Sequence, residues 1–152
     1  MPISSTEALN RLVQGNSRFL NGLRTAEVGS SLRKLNEVTR RGQTPFGMIL
    51  TCSDSRLPAE ILFDCDVGDL FIVRVAGAIV SPSVIGSLEF AAQAFGTSLC
   101  VIMGHTDCGA IKAAMKYEKS TPMNLTPHVT RLVKEIHPVA KHSMDQMKGA
   151  SD

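Results

Sequence analysis

The chain has 152 residues, 43% of them hydrophobic, and a formal net charge of +2, which suits one domain around one core. No Lys/Arg run is dense enough to track a phosphate backbone, which argues against a nucleic-acid partner. No apolar run is long enough to span a bilayer, which argues against a membrane partner.

The N-terminal stretch Met1-Pro2-Ile3-Ser4-Ser5 has neither the basic nor the apolar region of a secretory signal. A first helix is expected from Ser5-Thr6-Glu7-Ala8, with Leu9, Leu12, Val13, Phe19 and Leu20 on one face. Gly15 should weaken it and Gly22 end it. A second helix is expected from Ser31 to Arg41, with Leu32, Leu35 and Val38 inward and Gly42 as its stop. Its Arg33-Lys34 and Arg40-Arg41 pairs read as a solvated face. Residues 1–42 thus form a helical arm whose apolar stripes need a surface to cover.

Strands and helices then alternate over residues 46–119. The expected order is a strand from Phe46 to Thr51, a short helix from Pro58 to Cys65 and a strand over Leu70–Val75. A helix from Ser83 to Phe95, stopped by Gly96, a strand over Leu99–Met103 and a helix from Gly109 to Lys119 follow. This alternation predicts an α/β fold with a parallel sheet and flanking helices. A last helical region, 126–148, carries Val129, Leu132, Val133 and Ile136, and Pro138 should kink or break it.

Two clusters carry the chemistry. Cys52-Ser53-Asp54-Ser55-Arg56 follows the first strand, and His105-Thr106-Asp107-Cys108 follows the third. Parallel sheets place their sites beyond the C-terminal ends of strands, so Cys52, His105 and Cys108 should meet there. Two thiolates and an imidazole are zinc ligands, and three protein ligands leave a fourth position for water or for Asp54. Asp54 has two fates, to bind the metal or to be held by Arg56 in a bidentate pair. A plain loop salt bridge is the bland alternative. Asp107 reads as a turn-former, and Gly109 either lets the chain pass close to the metal or begins the next helix. Cys65 and Cys100 read as buried small hydrophobes, and His128, His137 and His142 as surface or capping residues. Cysteines in such contexts favour a reducing, cytoplasmic setting over disulfides.

At these residues the sequence resembles the β-class carbonic anhydrases. The motifs are Cys-x-Asp-Ser-Arg at Cys52–Arg56, Val73-Arg74-Val75-Ala76-Gly77, and His-x-x-Cys-Gly at His105–Gly109. The likeness extends from the N-terminal helices to about Lys119. It implies one Zn²⁺ held by Cys52, His105 and Cys108, an Asp54–Arg56 dyad, and hydroxide attack on CO₂ to give bicarbonate. It further implies a homodimer or multiple of dimers in which the N-terminal helices wrap the partner. A substrate pocket at the subunit boundary would involve Gln43, Phe71, Ala76, Phe90 and Gly109. Ala78 stands where the family commonly has Asn. The family also continues into further strands, so this C-terminally shortened chain should leave its third strand as an apolar edge. A COS or CS₂ hydrolase on the same scaffold, and a catalytically silent zinc-binding homologue, are the competing readings.

Overall fold

The computed structural model describes residues 2–26, 32–117 and 124–149. Helix α1 spans Ser5–Leu20 and α2 spans Leu32–Arg41. Strand β1 is Gly47–Thr51, α3 is Ala59–Leu62 and β2 is Leu70–Arg74. A 3₁₀ turn at Ala76–Ala78 leads to α4, Pro82–Phe95. Strand β3 is Cys100–Met103, α5 is Gly109–Met115 and α6 is Pro127–Gly149. Helix α5 ends at Met115, with Lys116 as its C-cap, short of the expected end at Lys119; Lys119 itself, the expected start of α2 at Ser31 and the chain's last three residues lie outside the described residues.

The three strands form a parallel sheet in the order β2-β1-β3. All five β1 residues are buried, as a central parallel strand with both faces covered requires. Leu50 faces Val73 on one side and Ile102 on the other. Ile49 and Leu50 are 0% and 1% exposed, and such burial contributes about 2 kcal/mol for each side chain. The polar member of the strand, Thr51, is buried because its hydroxyl donates to the Met103 carbonyl at 3.1 Å. That bond ties β1 to β3 at the end where the two ligand clusters begin.

Ser4 caps α1 by accepting a hydrogen bond from the Glu7 amide. The helix buries Ala8, Leu12 and Gly15. The helix runs through Gly15. A Cβ there would lie 1.8 Å from the Phe63 carbonyl oxygen, so glycine is what lets α1 lie against the end of α3. That neighbouring helix is shorter than expected, with Pro58 as its N-cap and not in its first turn. It ends where Asp64 takes a left-handed φ of 48°. The Asp64 carboxylate is buried and accepts hydrogen bonds from Arg18 Nε, the Thr25 amide and hydroxyl, and the Ala26 amide. One acid thereby fastens both α1 and the segment after it to the core.

Helix α4 begins one residue earlier than expected, with Pro82 in the first turn and Ser81 as cap, and ends at left-handed Gly96. Pro138 does not break α6, which runs through it. Val133 and Ile136, before the proline, pack with Ala114 of α5, and Ala140, beyond it, joins the same cluster. His137 adds a contact from Nδ1 to the Ala114 carbonyl at 2.9 Å. This packing offsets the roughly 3 kcal/mol that an interior proline costs.

Two apolar expectations are corrected. Leu32 and Leu35 are 76% and 50% exposed, not inward, and α2 buries no residue in this chain. On α1, Leu9, Val13 and Leu20 are likewise exposed. Cys100 is exposed and not a buried hydrophobe, because it lies on β3, an outer strand of the described sheet. Ile102 on the same strand is 67% exposed, as expected of an apolar edge. Finally, Ala78 has a φ of 50°, where an L-alanine is strained and Asn is tolerated. Ala78→Asn is expected to add about 0.5–1 kcal/mol of stability. A melting temperature a few degrees higher would show it, and an unchanged or lower one would count against strain at that turn.

Candidate metal centre

Cys52 is the first residue after β1, and His105 follows β3 by two residues. Cys108 is the N-cap of α5. Parallel pairing of β1 with β3, Thr51 opposite Met103, brings the three together. Their donor atoms all lie within 4.8 Å of one another, with the two sulfurs 4.0 Å apart. Among the described residues this is the group of His, Cys, Asp or Glu side chains placed to hold a metal ion. Cys52 and Cys108 are 6% and 7% exposed and pack with Leu57, Met103, Ala110 and Ile111.

Three observations show that the donor set fits a metal. First, His105 Nε2 is buried with no hydrogen-bond partner, a costly state for a polar atom unless something else occupies its lone pair. Second, Nδ1 lies 2.9 Å from the Thr106 carbonyl. Arg56 Nη2, a donor only, lies 3.0 Å from the same Nδ1, so the tautomer with its proton on Nδ1, donating to Thr106 and leaving the Nε2 lone pair to a ligand, is the one that metal binding selects. Third, Cys52 favours its thiolate. Burial pushes the thiol up, but amides of Asp54 and Gly77, with His105 and Cys108, outweigh burial and bring its pKa from 9.0 down to about 7. The Gly77 N–H donates to Cys52 Sγ at 3.4 Å. Two thiolates with one neutral imidazole are the chemistry of a zinc site.

Asp54 is paired with Arg56. Arg56 Nε and Nη2 donate to its two carboxylate oxygens at 2.8 Å each, and the Arg56 amide donates to Oδ1 at 3.0 Å. These bonds, side chain first, hold the Asp54 carboxyl well below the usual carboxylate range and raise the Arg56 guanidinium. Asp54 Oδ2 remains 3.9 Å from His105 Nε2, beside the metal cluster but engaged elsewhere. Arg74 braces the loop from β2, donating to the backbone carbonyls of Cys52 and Asp54 at 3.2 and 2.6 Å. Sequence reasoning placed Arg74 in the Val73–Gly77 motif but gave it no role, although a lone charge within Leu70–Val75 was the available signal.

Asp107 takes a left-handed φ of 58° and pairs with Lys112, consistent with its reading as a turn-former. Cys65 is buried, and burial, with Asp69 and Asp64 nearby, pushes its thiol up to about 12, which leaves it unreactive. The substrate-pocket positions are scattered. Ala76 adjoins Gly77 at the metal cluster, and Gly109 opens α5 beside Cys108. Phe71 and Phe90 meet each other, ring centroids 6.3 Å apart. Gln43 sits before β1 next to Gly68, at the opposite end of the sheet from the cysteines. One chain alone does not gather the set.

Fold and cluster together define a parallel α/β protein with a Cys/His/Cys metal-type group at the C-terminal strand ends. The carbonic anhydrase family model matches residues 47–152, and the chain belongs to the β-carbonic anhydrase family. The matched range begins at β1 and includes α6, whereas the sequence motifs suggested a likeness from the N-terminal helices to about Lys119. Carbonic anhydrase 2 of Mycobacterium tuberculosis is 39% identical over 114 residues, covering 75% of this chain and 53% of the relative. A carbonic anhydrase of Synechocystis is 33% identical over 114 residues, covering 71% of this chain and 40% of the relative. The chain thus spans about half the length, or less, of these curated relatives. Among solved structures, the β-carbonic anhydrase CcaA superposes with a TM-score of 0.64 at 28% identity, over 93% of this chain and 68% of that one. A Coccomyxa β-carbonic anhydrase shares the fold with a TM-score of 0.65 at 20% identity. No described helix is long and apolar enough to cross a membrane.

Proposed function

We propose that the chain holds one Zn²⁺ through Cys52, His105 and Cys108 and catalyses the reversible hydration of CO₂ to bicarbonate. The observation that carries this reading is the engagement of Asp54 by Arg56, which leaves the fourth metal position to water. A zinc ion held there supplies a Lewis acid that makes water nucleophilic near neutral pH. The chain's own residues do the rest. Arg56 keeps Asp54 ionised and turned from the metal donors, so that its carboxylate would accept a hydrogen bond from the reacting water and orient it. Arg74 fixes the backbone that carries Cys52 and Asp54. The apolar packing around the sulfurs excludes competing water and suits an uncharged substrate.

A homodimer, or a multiple of it, completes this reading. Leu9, Val13 and Leu20 of α1 and Leu32 and Leu35 of α2 are exposed, more apolar surface than single residues on a monomer explain. Gln43 and Phe71 lie far along the sheet from the cysteines and would complete a pocket with a partner's metal cluster. Four free cysteines suit a reducing, cytoplasmic setting.

The purified chain tests the proposal directly. It should contain about one zinc per polypeptide, run as a dimer by light scattering, and hydrate CO₂. Arg56→Ala should retain zinc and lose about 100-fold in rate, since Asp54 is then free to take the fourth position. A zinc-replete wild type that hydrolyses COS or CS₂ but does not hydrate CO₂, or an Arg56→Ala enzyme of full activity, would overturn it.

A further inference from the structure

We propose that Ile136 of α6 is a positioning residue for the metal site, holding Gly77 so that its N–H stays on the Cys52 sulfur. The inference rests on the zinc reading above and concerns a residue some 80 positions away from Cys52 in the chain. The turn that carries Gly77 is unfavourable on its own, with successive left-handed residues, Gly77 at φ 71° and Ala78 at φ 50°. Such a backbone persists only when its surroundings enforce it.

The surroundings are specific. A Cβ at Gly77 would lie 2.8 Å from Ile136 Cδ1 and 3.2 Å from Ala110 Cβ. Ala110 is two residues past Cys108 on α5. The turn is therefore wedged between the helix that begins at Cys108 and the side chain of Ile136, while its amide reaches Cys52 at 3.4 Å. Ile136 is 6% exposed and anchored with Ala114 and Val133. The His137 contact to the Ala114 carbonyl keeps α6 on α5. A helix with no metal donor of its own in the cluster thus controls a hydrogen bond to a metal-binding sulfur. Groups that hydrogen-bond to metal ligands commonly change metal affinity 10–100-fold when lost.

The test compares wild type, Ile136→Ala, Ile136→Val and Val133→Ala by titration with Co²⁺ and Zn²⁺, recording the Co²⁺–thiolate charge-transfer band and the melting temperature. Val133 is 1% exposed in the same cluster, but the atoms nearest a Cβ at Gly77 belong to Ile136 and Ala110, so Val133→Ala controls for stability alone. Ile136→Ala should weaken metal binding about tenfold and shift the band, while Val133→Ala lowers the melting temperature without either effect. Ile136→Val, which deletes the Cδ1 methyl and keeps the rest, should fall between wild type and Ile136→Ala, and decides the matter if the alanine variant does not fold. Wild-type affinity and band in both Ile136 variants, or equal weakening by Val133→Ala, would overturn the proposal. A wild type that binds neither metal would overturn the zinc reading itself, and that is seen before any variant is compared.

Discussion

Cys108→Ser is expected to strip the chain of nearly all its zinc. Serine keeps the volume but offers a hydroxyl that does not ionise near neutral pH, so the donor set falls from two thiolates and an imidazole to one thiolate and an imidazole. The His105 Nε2 lone pair stays buried and unpartnered, so the lost metal also destabilises the fold. Zinc per chain, measured by a chromogenic chelator after denaturation, should drop from about one to below about 0.1. The wild type should hold its metal with a marked pH dependence. Cys52 has a pKa lowered to about 7, so protons compete with the metal there only below neutrality and apparent affinity should fall as pH drops through that value. Equal zinc content in Cys108→Ser and wild type would remove Cys108 from the ligand set.

Asp64→Ala is expected to cost about 3–4 kcal/mol at pH 7, a large fraction of a small domain's stability. The substitution removes the acceptor for Arg18, Thr25 and Ala26 together and leaves alanine at a left-handed φ. Asp64→Asn keeps the shape and tolerates that φ, so it should cost less, about 1–2 kcal/mol. The sign with pH follows from the carboxyl. Burial opposes ionisation, but Arg18 and the Thr25 and Ala26 donors outweigh it and hold Asp64 well below the usual carboxylate range. Its stabilisation is therefore complete above the ordinary carboxyl pKa, near pH 4. It declines as pH falls from there toward the depressed folded value. Urea melts of wild type and Asp64→Ala should differ most at pH 7 and converge below about pH 4. A gap that stayed constant to pH 2.5 would mean that the charge contributes little.

Much of this protein was legible in the sequence, and the legible part was local. Apolar runs such as Phe46–Leu50, bounded by turn residues, announce buried parallel strands without any knowledge of their neighbours. Ligand-type residues just past two such runs announce a metal site, because parallel pairing alone brings strand ends together. Gly96 marked a helix end because caps are short-range chemistry.

Tertiary structure decided what depends on groups distant in the chain. Spacing left Asp54 with two partners of nearly equal reach, and the folded loop, braced by Arg74 from β2, sets it on Arg56. Composition made Gly15 look like a weak point of the helix, whereas the approach of Phe63 requires it. Pro138 stays inside α6 because packing on both sides of it outweighs its backbone cost. Asp64 fell inside the expected helix from Pro58 to Cys65 with no role of its own, and only the fold brings Arg18 and Thr25 onto it. The periodicity of α1 and α2 revealed apolar faces but not what they face, since helical period records which residues share a side and carries no information about the surface that will cover it.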